Sequence, residues 1–294
     1  MSRIGILGST GMIGSGVTAE LSRGDHEIVE FNRAGTAVCP ENKVHKFNIN
    51  RENLQSEISN LEKFDYILNF VGLIRHKLKI DQAASIDDAE LLNVQLPSEL
   101  DNLAHDTDCK VIQIGTDCVF SGAVGKYDEF SRHDPSDVYG QTKSNGEARL
   151  SRTMNLRVSV VGKELHSNIE LMSWLLNQPK NAEVQGYNNH LWNGVTPTQL
   201  SRVINSVVTN DLFSPKSLHL VPANVISKYE LLQSIATLGG RHDIQVQPVA
   251  AASSIDRTLS TAFPDWNMKV WNSAGYPEIP RIQDMIAEYI DQVD

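Results

Sequence analysis

Cysteine is scarce. Three residues, Cys39, Cys109 and Cys118, stand in a chain of 294, an odd number at spacings that fit neither a disulfide framework nor a Cys-x-x-Cys redox pair. Reduced thiols are expected. The nine histidines never recur at the four-residue spacing of a helical metal pair, so no metal site is expected. No run of about 18 apolar residues occurs, which argues against a membrane-spanning helix. The opening MSRIGILGSTGMIG lacks the charged start and long apolar stretch of a secretory leader. Basic residues are also short, 26 against 36 acidic, for a formal net charge of −10. That balance disfavours nucleic acid and anionic membrane surfaces as partners. Repeats and low-complexity tracts are missing as well. A cytoplasmic globular chain is the expectation.

What is present is alternation. Strand patterns at Arg3–Leu7, Glu27–Phe31, Val44–Phe47, Tyr66–Val71, Val111–Ile114 and Leu156–Val161 are separated by helical ones. The helices are predicted at Met12–Ser22, at Arg51–Leu61 capped by Asn50, at Asp87–Ala104 with a kink at Pro97, and at Ser136–Ser151. Such alternation predicts βαβ units and an α/β fold, a Rossmann-type doubly wound parallel sheet. The second half is less regular. It offers helices at Glu170–Leu176, Thr198–Val208, Lys228–Leu238 and Arg281–Gln292 and a strand at Leu218–Val221. With no linker in sight, the smaller C-terminal region is expected to be interleaved with the first. We assign residues 1–164 and 191–220 to the sheet domain, and 165–190 and 221–294 to a second, substrate-binding region. Trp174, Trp266 and Trp271 read as packing residues.

Gly8, Gly11 and Gly14 follow the first strand and open the first helix. This GxxGxxG spacing gives a tight turn, close backbone approach and close helix packing, with Thr10, Met12 and Ile13 in the same loop. Free N–H groups at the helix start suit a dinucleotide pyrophosphate. The second strand ends in Asn32-Arg33 rather than in an acid. A neutral side chain followed by a guanidinium favours the 2′-phosphate of NADP, with NAD the alternative. Asn48 and Ile49, after the third strand, are placed beside the adenine. Asn69, Phe70 and Val71, after the fourth, are placed along the cofactor ribose.

The fifth strand ends in GTDCVFSG, and Y-G-Q-T-K sets Tyr139 and Lys143 on one helical face. A tyrosine with a nearby ammonium, whose charge lowers the phenol's pKa, can pass a proton to a carbonyl oxygen. Thr116 is a hydroxyl able to hold that same oxygen. Together with the glycine loop, these stretches resemble the extended short-chain dehydrogenase/reductases, and among them the dTDP-4-dehydrorhamnose reductase family. The match runs through Asn93, Tyr127-Asp128-Glu129, the run YGQTKSNGE and Arg157-Val158-Ser159. It is strong over residues 1–162 and patchy afterward.

The resemblance implies a nicotinamide-dependent reduction at C4 of a nucleotide-linked 4-keto-6-deoxy sugar, made for a surface polysaccharide. Thr116, Tyr139 and Lys143 take the catalytic roles, and Tyr139 and Lys143 also touch the cofactor. It implies a nucleotide-sugar substrate as partner and leaves a homodimer open. Gly115, Cys118 and Val160 depart from the pattern. Arg75, His76 and Lys77 stand near the nicotinamide end, where Arg75 and Lys77 suit a sugar diphosphate. Arg257 suits the same group, and Trp192 suits stacking on a base or sugar.

Cys118 keeps a second reading open. GDP-fucose synthase is similar at this strand tip, and a cysteine working with His166 or His190 would make the chain an epimerase-reductase. The other reading is a small thiol filling a tyrosine's space, with Cys118 simply lining the substrate site. A 4,6-dehydratase is disfavoured, because the acid that follows Thr-Asp in that branch is Cys118 here. A non-catalytic NADP-binding subunit, as in the regulatory subunit of methionine adenosyltransferase, is the rival from another class.

Overall fold

In chain order the elements are β1 (Arg3–Leu7), α1 (Met12–Leu21), β2 (Glu27–Asn32), β3 (Lys43–Lys46), α2 (Leu54–Ser59), β4 (Tyr66–Asn69), α3 (Ala83–Glu90), α4 (Leu96–Asp106), β5 (Lys110–Gly115), α5 (Val138–Glu147) and β6 (Met154–Arg157). The second half adds α6 (Leu171–Leu176), β7 (Glu183–Tyr187), β8 (His190–Trp192), α7 (Pro197–Thr209), β9 (Ser217–His219), β10 (Ile226–Ser227), α8 (Lys228–Leu238), β11 (Gln245–Val249), β12 (Ile255–Asp256), α9 (Pro264–Ser273) and α10 (Ile282–Val293). The structure is a computed structural model that describes residues 1–61, 63–74, 78, 79, 81–163 and 170–293.

Seven parallel strands run in the order β3-β2-β1-β4-β5-β6-β9. The chain winds outward from β1 to β3, then crosses to β4 and winds the other way. A crevice therefore opens at the carboxyl ends of β1 and β4. Both sheet faces are covered, as parallel strands require. In β1, Ile4 and Ile6 belong to the core that holds Val17 of α1 and Val203 and Ile204 of α7. Leu7 belongs to the opposite core, with Leu54 of α2 and Leu100 of α4. Each such side chain, removed fully from water, contributes about 1.5–3 kcal/mol.

The predicted long helix over 87–104 is broken. A π-helical segment, Leu91–Gln95, joins α3 to α4. Pro97 lacks an N–H and its ring crowds the carbonyl four residues back, so the regular ladder cannot close there. The segment also carries Asn93, whose side chain binds the backbone of Leu73 on both sides (2.9 and 3.0 Å) and the Thr142 hydroxyl (3.1 Å). The helix expected from Thr198 begins instead at Pro197, where a missing N–H is harmless. The Thr196 side chain is turned to Gln199 rather than to the helix end. Trp271 packs fully buried, but Trp174 on the short α6 is 37% exposed, so it is not the packing residue expected.

Two small sheets form the second region: β10-β8-β12, and β11 beside β7. The chain leaves the main sheet after β6, returns through α7 and β9, and leaves again at β10. The two regions are thus interleaved. Within the second half β8 pairs with β10 and β12, and the return begins where Val195 bridges Val160. The segment around Arg257 folds over the loop that follows β5: Asp256 N donates to Gly122 O (2.8 Å), and Tyr127 N donates to Thr258 O (2.9 Å). That contact closes the second region over the edge of the sheet where the Thr116 stretch ends.

Candidate active site

The β1–α1 turn fits a pyrophosphate. Gly8 has φ +79°, and a Cβ on Gly14 would lie 2.2 Å from the Gly8 carbonyl oxygen. Only glycine lets α1 begin this close under the loop. No side chain caps α1, so its first N–H groups are open to an anion. The Gly8 N–H is held by Phe31 O at 2.7 Å, and Phe70 and Val71 pack against the turn. Thr10, Met12 and Ile13 are half-buried around it.

Asn32 is buried and committed to its own loop: it donates to Ser9 Oγ (2.9 Å) and Thr36 O (3.0 Å), and it accepts from Gly35 N (2.8 Å). It shapes the ribose end rather than offering a free amide to it. Arg33, next along, is exposed. Glu30, the acid nearest the end of this strand, is buried and taken up by Val38 N, Cys39 N and Asn42 Nδ2, so it is not a ribose ligand. Asn48 is exposed and Ile49 packs on the α2–α4 core. Asn69 donates to Gln113 Oε1 (2.6 Å) and accepts from Val71 N (3.0 Å), which fixes the backbone of the β4 tip.

Thr116 follows β5 and caps the tight turn Asp117–Val119, accepting from Cys118 N at 3.2 Å. Helix α5 is capped by Asp137, which accepts from Gly140 N at 2.8 Å. A Cβ on Gly140 would lie 2.2 Å from the Cys118 carbonyl oxygen. The glycine after the tyrosine therefore lets α5 dock on the strand tip. That docking brings the Tyr139 phenol to Thr116, whose hydroxyl favours the ionised phenol. Lys143 is buried and donates to Ile114 O at 2.8 Å, which leaves two of its three N–H groups.

The expected lowering of the tyrosine pKa is not what the site shows. Burial pushes Tyr139 up from the usual phenol value, and the Asp117 carboxylate adds to it. The ammonium of Lys143 is turned to the Ile114 carbonyl. Burial lowers the Lys143 pKa, and Glu147 opposes that shift. Tyr139 is therefore protonated at neutral pH, the state needed by a group that gives a proton away.

Behind α5 lies a buried polar layer. Arg157 is paired with Glu147 and bonded to His133 Nε2 (2.9 Å) and to His219 Nε2, and it sits 5.1 Å over the Phe120 ring. His219 Nδ1 donates to Ser260 O at 2.7 Å, which leaves Nε2 to accept from Arg157. Burial first, and then Arg157, push His219 down from 6.5 to about 4. The unfolded chain therefore binds this proton more readily than the folded one between those values. The resulting stability is complete above pH 6.5 and is lost as the pH falls toward about 4. We expect urea midpoints of the wild type to drop over that window more steeply than those of His219→Gln. Parallel curves would show that the imidazole is not held neutral.

On the substrate side the residues divide. Arg257 donates to Phe120 O (2.9 Å) and to Ser136 Oγ (3.1 Å) and acts electrostatically on Asp117 and Cys118, so it does reach the strand tip. Trp192 is 4% exposed and donates its indole N–H to Ser159 Oγ (2.9 Å). A ring so enclosed is packing, not a platform for a base. Burial and the Asp117 charge raise the Cys118 thiol to about 12. His190 lies tilted against the Tyr187 ring and is bonded to Ser253 O, and is not brought to the thiol. Arg75, His76, Lys77 and His166 lie outside the described residues. Lys228 is the residue the sequence reading missed. It stands at the start of α8 and acts on Asp117 and Cys118. No motif marks it, since only the return of the second region places it there.

A parallel sheet wound both ways from a phosphate-loop crevice, with Thr, Tyr and Lys gathered at its carboxyl edge, is the architecture of a dinucleotide-dependent short-chain dehydrogenase or reductase. The family model described as the RmlD substrate binding domain matches residues 2–294, and the chain belongs to that family. A search of the curated proteins returns no match. Among solved structures the chain is similar to a dTDP-4-dehydrorhamnose reductase from Clostridium acetobutylicum, at 20% identity, TM-score 0.75 and 99% coverage of both chains. It is similar to the Bacillus anthracis dTDP-4-dehydrorhamnose reductase in complex with NADP, at 19% identity, TM-score 0.75 and 100% of both chains. It is also similar to a dTDP-glucose 4,6-dehydratase from the same organism in complex with NAD, at 16% identity and TM-score 0.74, covering 99% of this chain and 96% of that one. At these identities the likeness is one of fold. Among the described residues no helix is long and apolar enough to cross a membrane.

Proposed function

We propose that the chain is an NADP-preferring oxidoreductase that reduces the 4-keto group of a nucleotide-linked 6-deoxy sugar. It would act in the cytoplasm, in deoxysugar synthesis for a surface polysaccharide, without a nucleic-acid or membrane partner. The observation that carries this reading is the meeting of Thr116 with a protonated Tyr139 beside the crevice of the glycine loop. The seven-stranded sheet and its helices hold the cofactor, and the segments that carry the two small sheets close over the sugar. When bound, a reduced nicotinamide supplies the hydride. Thr116 donates to the carbonyl oxygen and fixes its direction. Tyr139 gives that oxygen its proton, and the two N–H groups of Lys143 not used by Ile114 stabilise the phenolate left behind.

The test is NADPH oxidation with a panel of dTDP- and GDP-linked 4-keto-6-deoxy sugars, with the product identified by NMR. Turnover of one member is expected. NADPH binding without turnover of any would favour the regulatory reading instead. The high pKa of Cys118 keeps its sulfur protonated, which weighs against the epimerase reading.

Arg33 carries the cofactor preference. It is exposed at the end of β2, and no acid is free there to hold a 2′-hydroxyl. We expect Arg33→Ala to raise KM for NADPH about 10-fold or more, the scale of a charge-assisted contact, and to leave KM for NADH almost unchanged. Equal changes for both cofactors would remove Arg33 from the 2′-phosphate site.

A further inference from the structure

The turn that leaves β2 is folded back by Asn32. Its side-chain oxygen accepts from Gly35 N (2.8 Å) and Thr36 N (3.4 Å), and its amide donates to Thr36 O (3.0 Å). The same amide donates to Ser9 Oγ (2.9 Å), so the turn 33–36 is tied to the glycine loop. Strand β3 lies outside β2 at the end of the sheet, and its last residue, Lys46, stands opposite Asn32 in the parallel register. Phe47 N donates to Asn32 O at 2.8 Å, which pins the end of β3 to the start of the turn.

Side chains alternate between the faces of a sheet, and register partners share a face. Phe31 and its partner His45 do so visibly, their rings stacked 5.4 Å apart. Asn32 and Lys46, one residue on, therefore share the opposite face, the one on which Asn32 holds Ser9. The turn then lies against Lys46: a Cβ on Gly35 would be 3.7 Å from the Lys46 Cβ. Arg33 is the first residue of that turn. Two cations thus flank one turn, Arg33 on it and Lys46 against it, and both are exposed.

The charges at the two ends of these strands are treated differently. At the amino ends Glu27 pairs with Lys43 (3.2 Å) and with Arg3 (3.5 Å). At the carboxyl ends the one nearby acid, Glu30, is spent on Val38, Cys39 and Asn42. Among the described residues neither Arg33 nor Lys46 has an ion-pair partner, in a chain whose formal net charge is −10. The carboxyl ends are also where the crevice of the parallel sheet opens. A phosphate monoester carries close to two negative charges at neutral pH and answers both cations. Arginine meets it as a planar fork and lysine as a point charge.

We propose that Lys46 is a second ligand of the cofactor's 2′-phosphate and sets the choice of NADP over NAD jointly with Arg33. The inference rests on the dinucleotide-binding part of the reading above and does not depend on which sugar is reduced. It gives the edge strand β3 a share in the cofactor site, and it gives Asn32 its role as the brace that holds the turn between the two cations.

The experiment is calorimetric titration of the full chain with adenosine 2′,5′-bisphosphate and with 5′-AMP, which differ by that one phosphate, beside fluorescence titration with NADPH and NADH. The variants are Lys46→Met, Lys46→Arg, Arg33→Ala, the double Arg33→Ala/Lys46→Met, and Lys43→Met as a control that removes the same charge from the same strand. The wild type is expected to prefer the bisphosphate by about 100-fold, roughly tenfold for each charge-assisted contact. Lys46→Met should cut that preference about 10-fold with the 5′-AMP affinity unchanged, and Lys46→Arg should keep most of it. The double variant should bring the two ligands close to equal. Lys43→Met should leave the ratio near the wild-type value. A Lys46→Met ratio within about twofold of wild type, with Arg33→Ala still lowering it, would overturn the proposal and leave the preference to Arg33 alone. Equal losses in Lys46→Met and Lys43→Met would also overturn it, since overall charge and not contact would be at work. So would equal losses on both ligands. A wild type that binds NADPH and NADH alike fails earlier: the NADP preference itself falls, and the role of Lys46 with it.

Discussion

Tyr139→Phe is expected to lower kcat by about 10²- to 10⁴-fold, the range in which positioned proton donors act, while NADPH binding stays near the wild-type value. The phenol is held protonated at neutral pH by burial and lies next to the Thr116 hydroxyl. Phenylalanine keeps the ring that packs against the 117–119 turn and removes only the proton. Because burial already holds the tyrosine protonated, the activity should not fall as the pH rises through neutrality. It should fall only at strongly alkaline pH, as the phenol ionises and the donor is lost. Stopped-flow NADPH oxidation across pH, beside fluorescence titration of NADPH, separates the two quantities. A variant that loses NADPH binding in proportion to turnover would make Tyr139 a cofactor contact rather than the proton donor. A variant with more than a tenth of the wild-type rate would move the proton to another group.

The second large effect concerns stability. Arg157→Met is expected to destabilise the fold by about 3–5 kcal/mol, the cost of leaving a buried charge without its partner. The two side chains are only 2% and 5% exposed, and Glu147 Oε1 already lacks a hydrogen-bond partner. Without the guanidinium, Glu147 would lose its paired partner and keep only the longer-range attraction of Lys143. The carboxylate would draw in water, and α5 would lose its fixed seat on β6. The double variant Glu147→Leu/Arg157→Met removes both charges and should recover most of the loss, because an apolar pair of similar volume does not need the ion pair's compensation. Urea unfolding of the three proteins measures this. A single-variant loss below about 1 kcal/mol would mean that water or His133 supplies what Arg157 gives up. Failure of the double variant to recover would shift the importance from the pair to the bonds that Arg157 makes with His133 and His219.

Much of the first half was legible from residues alone, and for local reasons. A glycine loop between a strand and a helix has few other uses, and a Cβ on Gly14 would strike the Gly8 carbonyl oxygen. The Tyr139–Lys143 spacing and the glycine between them are set within one helix, which puts both side chains on one face and leaves that face free to dock on the Cys118 turn. Strand order also follows from alternation, because right-handed crossovers permit few arrangements.

Other features depended on contacts between distant segments. Trp192 looked like a stacking platform in sequence and is a buried support. The tyrosine pKa was expected to fall near a lysine and instead rises, because burial outweighs an ammonium turned toward Ile114 O. The strands β8, β10 and β12 carry too few residues for periodicity to mark them, and β7 and β11, though as long as β1, are mostly polar and interrupted by Gly186 and Pro248; all five exist through pairing with one another. Lys228 is the sharpest case. In sequence it is one lysine before an ordinary helix. Only the return of the second region, pairing β10 with β8, sets it against the Trp192 ring and within electrostatic reach of Asp117. The sequence by itself determined the strands of the sheet, the glycine loop and the Tyr139–Lys143 pair on one helix face, because each is coded within one short stretch. The tertiary structure alone decided what faces them, because long-range burial and charge are properties of segments brought together and not of either segment alone.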